Sequence, residues 1–121
     1  MTSAYNPSPH AVIYDPDAVA EFVSAVKSKE EQKAIVNAVL KLRELGERLE
    51  PPHMKPLQGA AGLRELRPKQ GRSDWRAVYC RSGLIYVVVA VDRHKNFAAM
   101  IERARMRASR YGGTSLNFDK S

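Results

Sequence analysis

The stretch Leu84 to Val91, reading LIYVVVAV, restricts the fold more than any other part of the chain. It is apolar at every position and rich in β-branched residues, which is the pattern of a central strand covered on both faces. At eight residues it is far too short for a transmembrane helix, which needs roughly 20. Trp75 to Arg81 lies just before it and alternates around aromatic and β-branched residues. The tight link Arg81-Ser82-Gly83 predicts that the two strands form an antiparallel hairpin.

A sheet with such a strand needs helices to cover it, and the sequence supplies three. Asp15 and Pro16 make an N-cap and first helical residue, after which Val19, Phe22, Val23 and Val26 recur at helical spacing, predicting a helix over 16–27. Ser28 with Glu31 forms a capping box, and Ile35, Val36, Val39, Leu42 and Leu45 give a second stripe that closes at Gly46. The two helices are expected to form a hairpin. A third helix runs from Phe97 through Ile101, Ala104 and Ala108 to Tyr111-Gly112-Gly113.

Between the second helix and the sheet, Pro51, Pro52 and Pro56 exclude a continuous helix or a central strand, and residues 50–61 read as a loop. Leu63 to Arg67 is a short strand candidate, and Ala11 to Tyr14 a further possible one. The expected architecture is α+β: an N-terminal helical hairpin on a small antiparallel sheet, with helices on one face, followed by a C-terminal helix. With 121 residues and 44% hydrophobic content the chain fits one domain, residues 11–111, between an arm over 1–10 and a tail over 112–121.

The charges are unevenly placed. Residues 1–50 carry six Lys/Arg against eight Asp/Glu, whereas residues 51–111 carry thirteen against four. A regional excess of positive charge attracts polyanions, so a phosphate-rich partner, RNA first, is the expectation. The alternative is a merely solvated basic face. The single cysteine, Cys80, reads as a small core residue, and without a secretory signal pattern the expected location is the cytoplasm, with no membrane association. Phosphate-cradling loops, paired Cys/His spacings and the GxSxG elbow are missing, so no metal and no cofactor is expected.

The basic residues that remain are His53 and Lys55 in the Pro-rich segment, Arg64 and Arg67 on one strand, Arg76 on the next, and Arg93, His94 and Lys95 after the central strand. Arg64 and Arg67 alternate onto opposite faces, so only one can belong to a common site, and pairing with Glu65 is the plain alternative for either. Trp75 is either a base-stacking platform or core. The run Arg103, Arg105, Arg107, Arg110 is either the solvated side of a helix or a further contact to phosphate.

At these positions the sequence resembles the RelE/ParE superfamily of toxins from type II toxin–antitoxin pairs, nearest its HigB-like, phage-derived branch. The stretches that carry the likeness are MKPLQG, GLRELRP, WRAVYC, IYVVVAVDRHKN and ERARMRASRY, in that order, over residues 54–111. The resemblance implies a toxin silenced by a cognate antitoxin protein. Some members of the superfamily cut mRNA on the ribosome without a metal, by attack of a ribose 2′-OH. Others inhibit DNA gyrase without catalysis, and an inactive phage-related member is a third possibility.

In the RNA-cutting case the resemblance implies catalytic roles for His94, Arg76, Arg67, Lys55 and Lys95. It implies RNA-binding or ribosomal-RNA contacts for Arg93, Arg64, His53 and Tyr111. Tyr111 stands only loosely where some relatives carry an aromatic hydroxyl, and Asp92-Arg93-His94 replaces their more usual apolar-aromatic-Lys pattern. His94 suits a proton donor or acceptor because histidine titrates near neutrality, whereas arginines hold phosphate oxygens at any relevant pH.

Overall fold

The computed structural model describes residues 10–112; the expected arm over 1–10 and tail over 112–121 lie almost wholly outside them. The elements run β1 (Ala11–Tyr14), α1 (Pro16–Ala25), α2 (Lys29–Leu45), β2 (Met54–Pro56), β3 (Arg64–Leu66), β4 (Trp75–Ser82), β5 (Ile85–Arg93) and α3 (Phe97–Ala108). The N-caps form as the sequence indicates, except that the Glu31 carboxylate, expected to complete a capping box, accepts from the Ser73 hydroxyl at 2.8 Å instead. Asp15 accepts from the Asp17 N–H at 2.8 Å, Ser28 accepts from Glu31 at 3.3 Å, and Gly46 ends α2 at φ +55° with the His10 imidazole standing where a Cβ would project.

One five-stranded sheet holds the molecule together, in the order β1-β5-β4-β3-β2. All neighbours are antiparallel except β1, which pairs in parallel with β5 from Ala11 opposite Ile85 to Tyr14 opposite Val88. Two expectations need correction here. The sheet is mixed rather than purely antiparallel, and the Pro-rich loop contains β2, which the prolines permit because it is an edge strand.

A third correction concerns the helices, which lie on both faces. Ala18, Val26, Ile35, Val39 and Leu42 from α1 and α2 pack with Tyr79, Tyr86, Val88 and Val91. Met100, Ala104 and Ala108 of α3 pack on the other side with Val78, Val87, Val89 and Ala90. The two-sided apolarity of β5 demands such double cover, since either face left in water would expose a row of Val side chains. Trp75, only 3% exposed, belongs to the first of these cores and is not a free stacking platform. Cys80 is core, as expected, and burial pushes its thiol up to about 11.

The register also shows an irregularity in the hairpin. Tyr79 faces Val88 and Val78 faces Ala90, so Val89 is the extra residue of a bulge. No helix among the described residues is long and apolar enough to cross a membrane.

Candidate functional site

The strand order brings several of the expected residues to one end of the sheet. Leu66, the last residue of β3, is opposite both Met54 of β2 and Ala77 of β4. The residues flanking them, His53, Arg67 and Arg76, are therefore neighbours across three strands, and the Arg67 N–H donates to the His53 carbonyl at 2.9 Å. On the next strand Arg76 is opposite Asp92 and Trp75 is opposite Arg93, which puts His94 and Lys95 at the same end. His53 and His94 are three strand spacings apart, about 14 Å. A single reacting phosphate between them can be reached only by the long side chains and one of the two imidazoles.

Within this end the side chains divide sharply by burial. Arg76 is 4% exposed, and its Nη1 donates to the carbonyls of Ser73 at 2.6 Å and Trp75 at 2.8 Å, its Nη2 to that of Gly71 at 3.3 Å. Burial lowers its pKa, an effect that Glu65 partly offsets. Arg76 thus clamps the turn before β4: its charge is near the site, and three of its Nη hydrogens are held by backbone carbonyls.

Glu65, itself buried, is the carboxylate shared by two arginines. Its Oε1 lies 3.7 Å from Arg76 Nε and 3.8 Å from Arg67 Nε, and neither Nε has a hydrogen-bond partner. One negative charge facing two guanidiniums leaves a net positive charge in a poorly hydrated place, which favours an approaching anion. Lys55 sits opposite Glu65 in the β2–β3 register and is exposed.

The exposed members are His94, Lys95 and Arg93. The His94 backbone N–H donates to the Asp74 carbonyl at 2.7 Å, and its ring lies 5.9 Å from that of Phe97. Arg93 holds its guanidinium 4.8 Å over the Trp75 ring, with Asp74 at 3.7 Å. Asp92, just before, anchors the turn into α3. Burial raises its pKa, but hydrogen bonds from Asn96, Arg103 and the Arg93 N–H outweigh that and hold it low.

Two of the expected residues lie elsewhere. Arg64 is taken by Glu47, with hydrogen bonds of 3.0 and 2.9 Å, so Arg67 rather than Arg64 sits with the cluster. Tyr111 is at the far end. Its carbonyl accepts from Ser82 at the close of β4, seven residues or about 23 Å along the strand from Trp75. Its hydroxyl donates to Asp15 at 2.7 Å, and burial followed by that bond raises its pKa to about 12.

A cavity of about 480 Å³ opens from the same end, between α2 and the turn after β3. His53 and Arg67 line it together with Lys33, Lys41, Lys69 and Arg72, residues that sequence reasoning left aside. Lys33, Asn37 and Lys41 form a polar stripe at i, i+4, i+8 on α2, a pattern shared by any solvated helix face, so no local signal marked them. Among the described residues no cluster of three or more His, Cys, Asp or Glu is placed to hold a metal ion.

With this geometry in view, the fold is that of the RelE toxins. Two solved structures are similar: the toxin–antitoxin complex RelBE2 from Mycobacterium tuberculosis, at 21% identity and TM-score 0.54, covers 72% of this chain and 93% of its own. An arginine-to-alanine double variant of Escherichia coli toxin RelE in the free state, at 16% identity and TM-score 0.57, covers 78% and 97%. Residues 23–108 match the family described as phage derived protein Gp49-like, and the chain belongs to that family. No curated protein matches it.

Proposed function

We propose that this protein is the toxin of a type II toxin–antitoxin pair, in the HigB-like branch, acting in the cytoplasm as a ribosome-dependent mRNA endoribonuclease. The observation that carries the reading is the convergence of His53, Arg67, Arg76, Arg93, His94 and Lys95 on one end of a RelE-like sheet. The reaction needs no cofactor. A ribose O2′ attacks the adjacent phosphorus while a base removes its proton, the bond to the 5′-oxygen breaks, and an acid protonates that leaving oxygen. His94, exposed at the end of β5, serves as acid or base. Arg67, with Lys55 and Lys95, stabilises the charge on the phosphorane-like transition state, and Arg93 holds flanking RNA. Arg76 contributes as the positive charge behind Arg67 and as the support of the turn.

The natural partner is an antitoxin protein, in keeping with the complex in which one of the similar folds was solved. A gyrase-type inhibitor is the second reading, and one observation favours it: three of the four Nη hydrogens of Arg76 are engaged by backbone carbonyls within the molecule.

Expression of wild type and of the His94→Ala/Lys95→Ala variant in a bacterial host, with mapping of mRNA 5′ ends, tests the proposal. Both side chains are exposed, so the variant should fold. Growth arrest with new in-frame 5′ ends that the variant abolishes supports the nuclease. Arrest without cuts would move the reading to gyrase, and no arrest to an inactive member.

A further inference from the structure

Most of the arginines are already spoken for inside the molecule. Arg64 and Arg81 face Glu47, Arg103 and Arg107 face Glu21, and Arg110 faces Asp15 and Asp17. The cations of the 480 Å³ cavity are set apart by lining one space together. The side chains of Lys33, Lys41, Lys69 and Arg72 make no ion pair or hydrogen bond among the described residues, and Glu30 is the one acidic residue lining the space. With Arg67 added, five positive charges face one negative. Mutual repulsion among them is tolerated only where an anion or open solvent offsets it.

The backbone at this place is also held in a costly shape. Lys69 and Gln70 both adopt φ +57°, and Gly71 follows at φ +93°. Two successive left-handed residues other than glycine are an unfavourable backbone shape that the folded turn must hold in place. Arg76 and Pro68 fix the turn from below: Arg76 binds the Gly71 carbonyl, and Pro68 is buried. The result is that Lys69 and Gln70 are presented to the cavity from one side while Lys33 and Lys41 reach it from α2.

We infer that this cavity is a phosphate-binding site for an RNA backbone, continuous through His53 and Arg67 with the end of the sheet but separate from the reacting position. It rests on the RNA-directed reading above and adds four residues to it: Lys33, Lys41, Lys69 and Arg72 bind and position RNA, and none of them takes part in bond breaking. A ligand pocket of this size is ordinarily mostly apolar. This one has Ala34 and Ala38 in its wall but also amines, guanidiniums and the amides of Asn37 and Gln70, the groups that recognise phosphodiester oxygens and ribose hydroxyls. The phosphates come either from the mRNA being cut or from ribosomal RNA beside it.

The test uses the full chain with a fluorescein-labelled single-stranded RNA 12-mer and with mRNA-free 70S ribosomes. The pocket variant is Lys33→Gln/Lys41→Gln/Lys69→Gln/Arg72→Gln. A charge-matched control, Lys27→Gln/Lys29→Gln/Arg43→Gln/Arg48→Gln, changes side chains outside the cavity. The pocket variant should weaken 12-mer or ribosome binding at least tenfold and flatten the slope of log K against log salt by about 3, whereas the control keeps most of both. Loss on mRNA-free ribosomes identifies ribosomal RNA as the source, and loss confined to the 12-mer identifies mRNA.

Equal loss in both variants, or none in the pocket variant, overturns the proposal. So does unchanged RNA binding combined with lost binding to a poly-glutamate peptide, which would make the cavity a protein-docking site. Single-turnover cleavage of an mRNA programmed on translating 70S ribosomes, at saturating ribosome concentration, separates this inference from the nuclease reading. If wild type binds through the pocket but cuts nothing, only the nuclease reading fails; if the pocket variant binds and cuts as wild type does, only the pocket fails.

Discussion

Glu21 of α1 and Arg107 of α3 meet beside β5 and together bond its backbone beyond the point where β1 ends. Glu21 Oε1 accepts from the Val91 N–H and from Arg107 Nη1, both at 2.9 Å, while the same Nη1 donates to the Val89 carbonyl at 2.9 Å. Past Val88 no strand among the described residues covers this edge of β5, and here an ion pair between helices on opposite faces supplies partners for its backbone. Arg103 completes the arrangement by bridging Glu21 and Asp92 at 2.8 and 2.9 Å. Replacing Glu21 with Ala should therefore cost about 2–4 kcal/mol, since it strands a buried N–H and a largely buried guanidinium. Glu21→Gln, which keeps an acceptor for Val91, should cost less. Urea denaturation of the three proteins checks the order.

Arg76 gives a second expectation. Because its guanidinium holds three carbonyls and faces buried Glu65, Arg76→Ala should lower stability by about 3–5 kcal/mol, and Arg76→Lys by less. Any loss of activity in these variants should track thermal unfolding. A fully stable, inactive Arg76→Ala protein would show instead that the side chain acts on substrate.

At Gly71 the backbone is the constraint. With φ +93° and Arg67 Nη2 2.9 Å from the position of an added Cβ, Gly71→Ala should cost about 1–2 kcal/mol and displace the Arg67 guanidinium. RNA affinity should fall with it, while Gly59→Ala, at φ +75° but with nothing near its Cβ, should lose stability only. Denaturation midpoints and RNA titration of both variants separate strain from displacement.

The carboxylates make a pH prediction. Burial opposes ionisation of Asp92 and Glu47, but hydrogen bonds from Asn96 and Arg103 to the first, and from Arg64 and Tyr86 to the second, leave both pKa values below the usual range. A folded pKa below the unfolded one means stability that is present above about pH 4 and lost as pH falls through the folded values. Unfolding free energy should thus be level near neutrality and decline below about pH 4. Asp92→Asn and Glu47→Gln should each be less stable near neutrality and show a shallower acid decline, measured by denaturation across pH.

Local patterns determined the helices, their caps and the β4–β5 hairpin, because capping, 3.6-residue periodicity and tight-turn chemistry act between residues close in sequence. The apolar β5 run already carried the requirement for two covered faces. The strand motifs indicated the RelE-like fold. What no local pattern contained was the edge strand β2, whose three residues form only against β3, the parallel seat of β1 on β5, and the side of the sheet that α3 takes. The charge pattern was misleading for a physical reason. Much of the C-terminal excess of Arg is matched by acids of the N-terminal half, as Glu21 with Arg107 and Glu47 with Arg64 show, and pairing across the fold is invisible along the chain. Sequence named His53, Arg67 and His94; the tertiary structure decided that Arg64 and Tyr111 stand apart, that Arg76 is buried, and that Lys33 and Lys69 share one cavity. Those outcomes depend on strand register and packing, which bring together residues tens of positions apart.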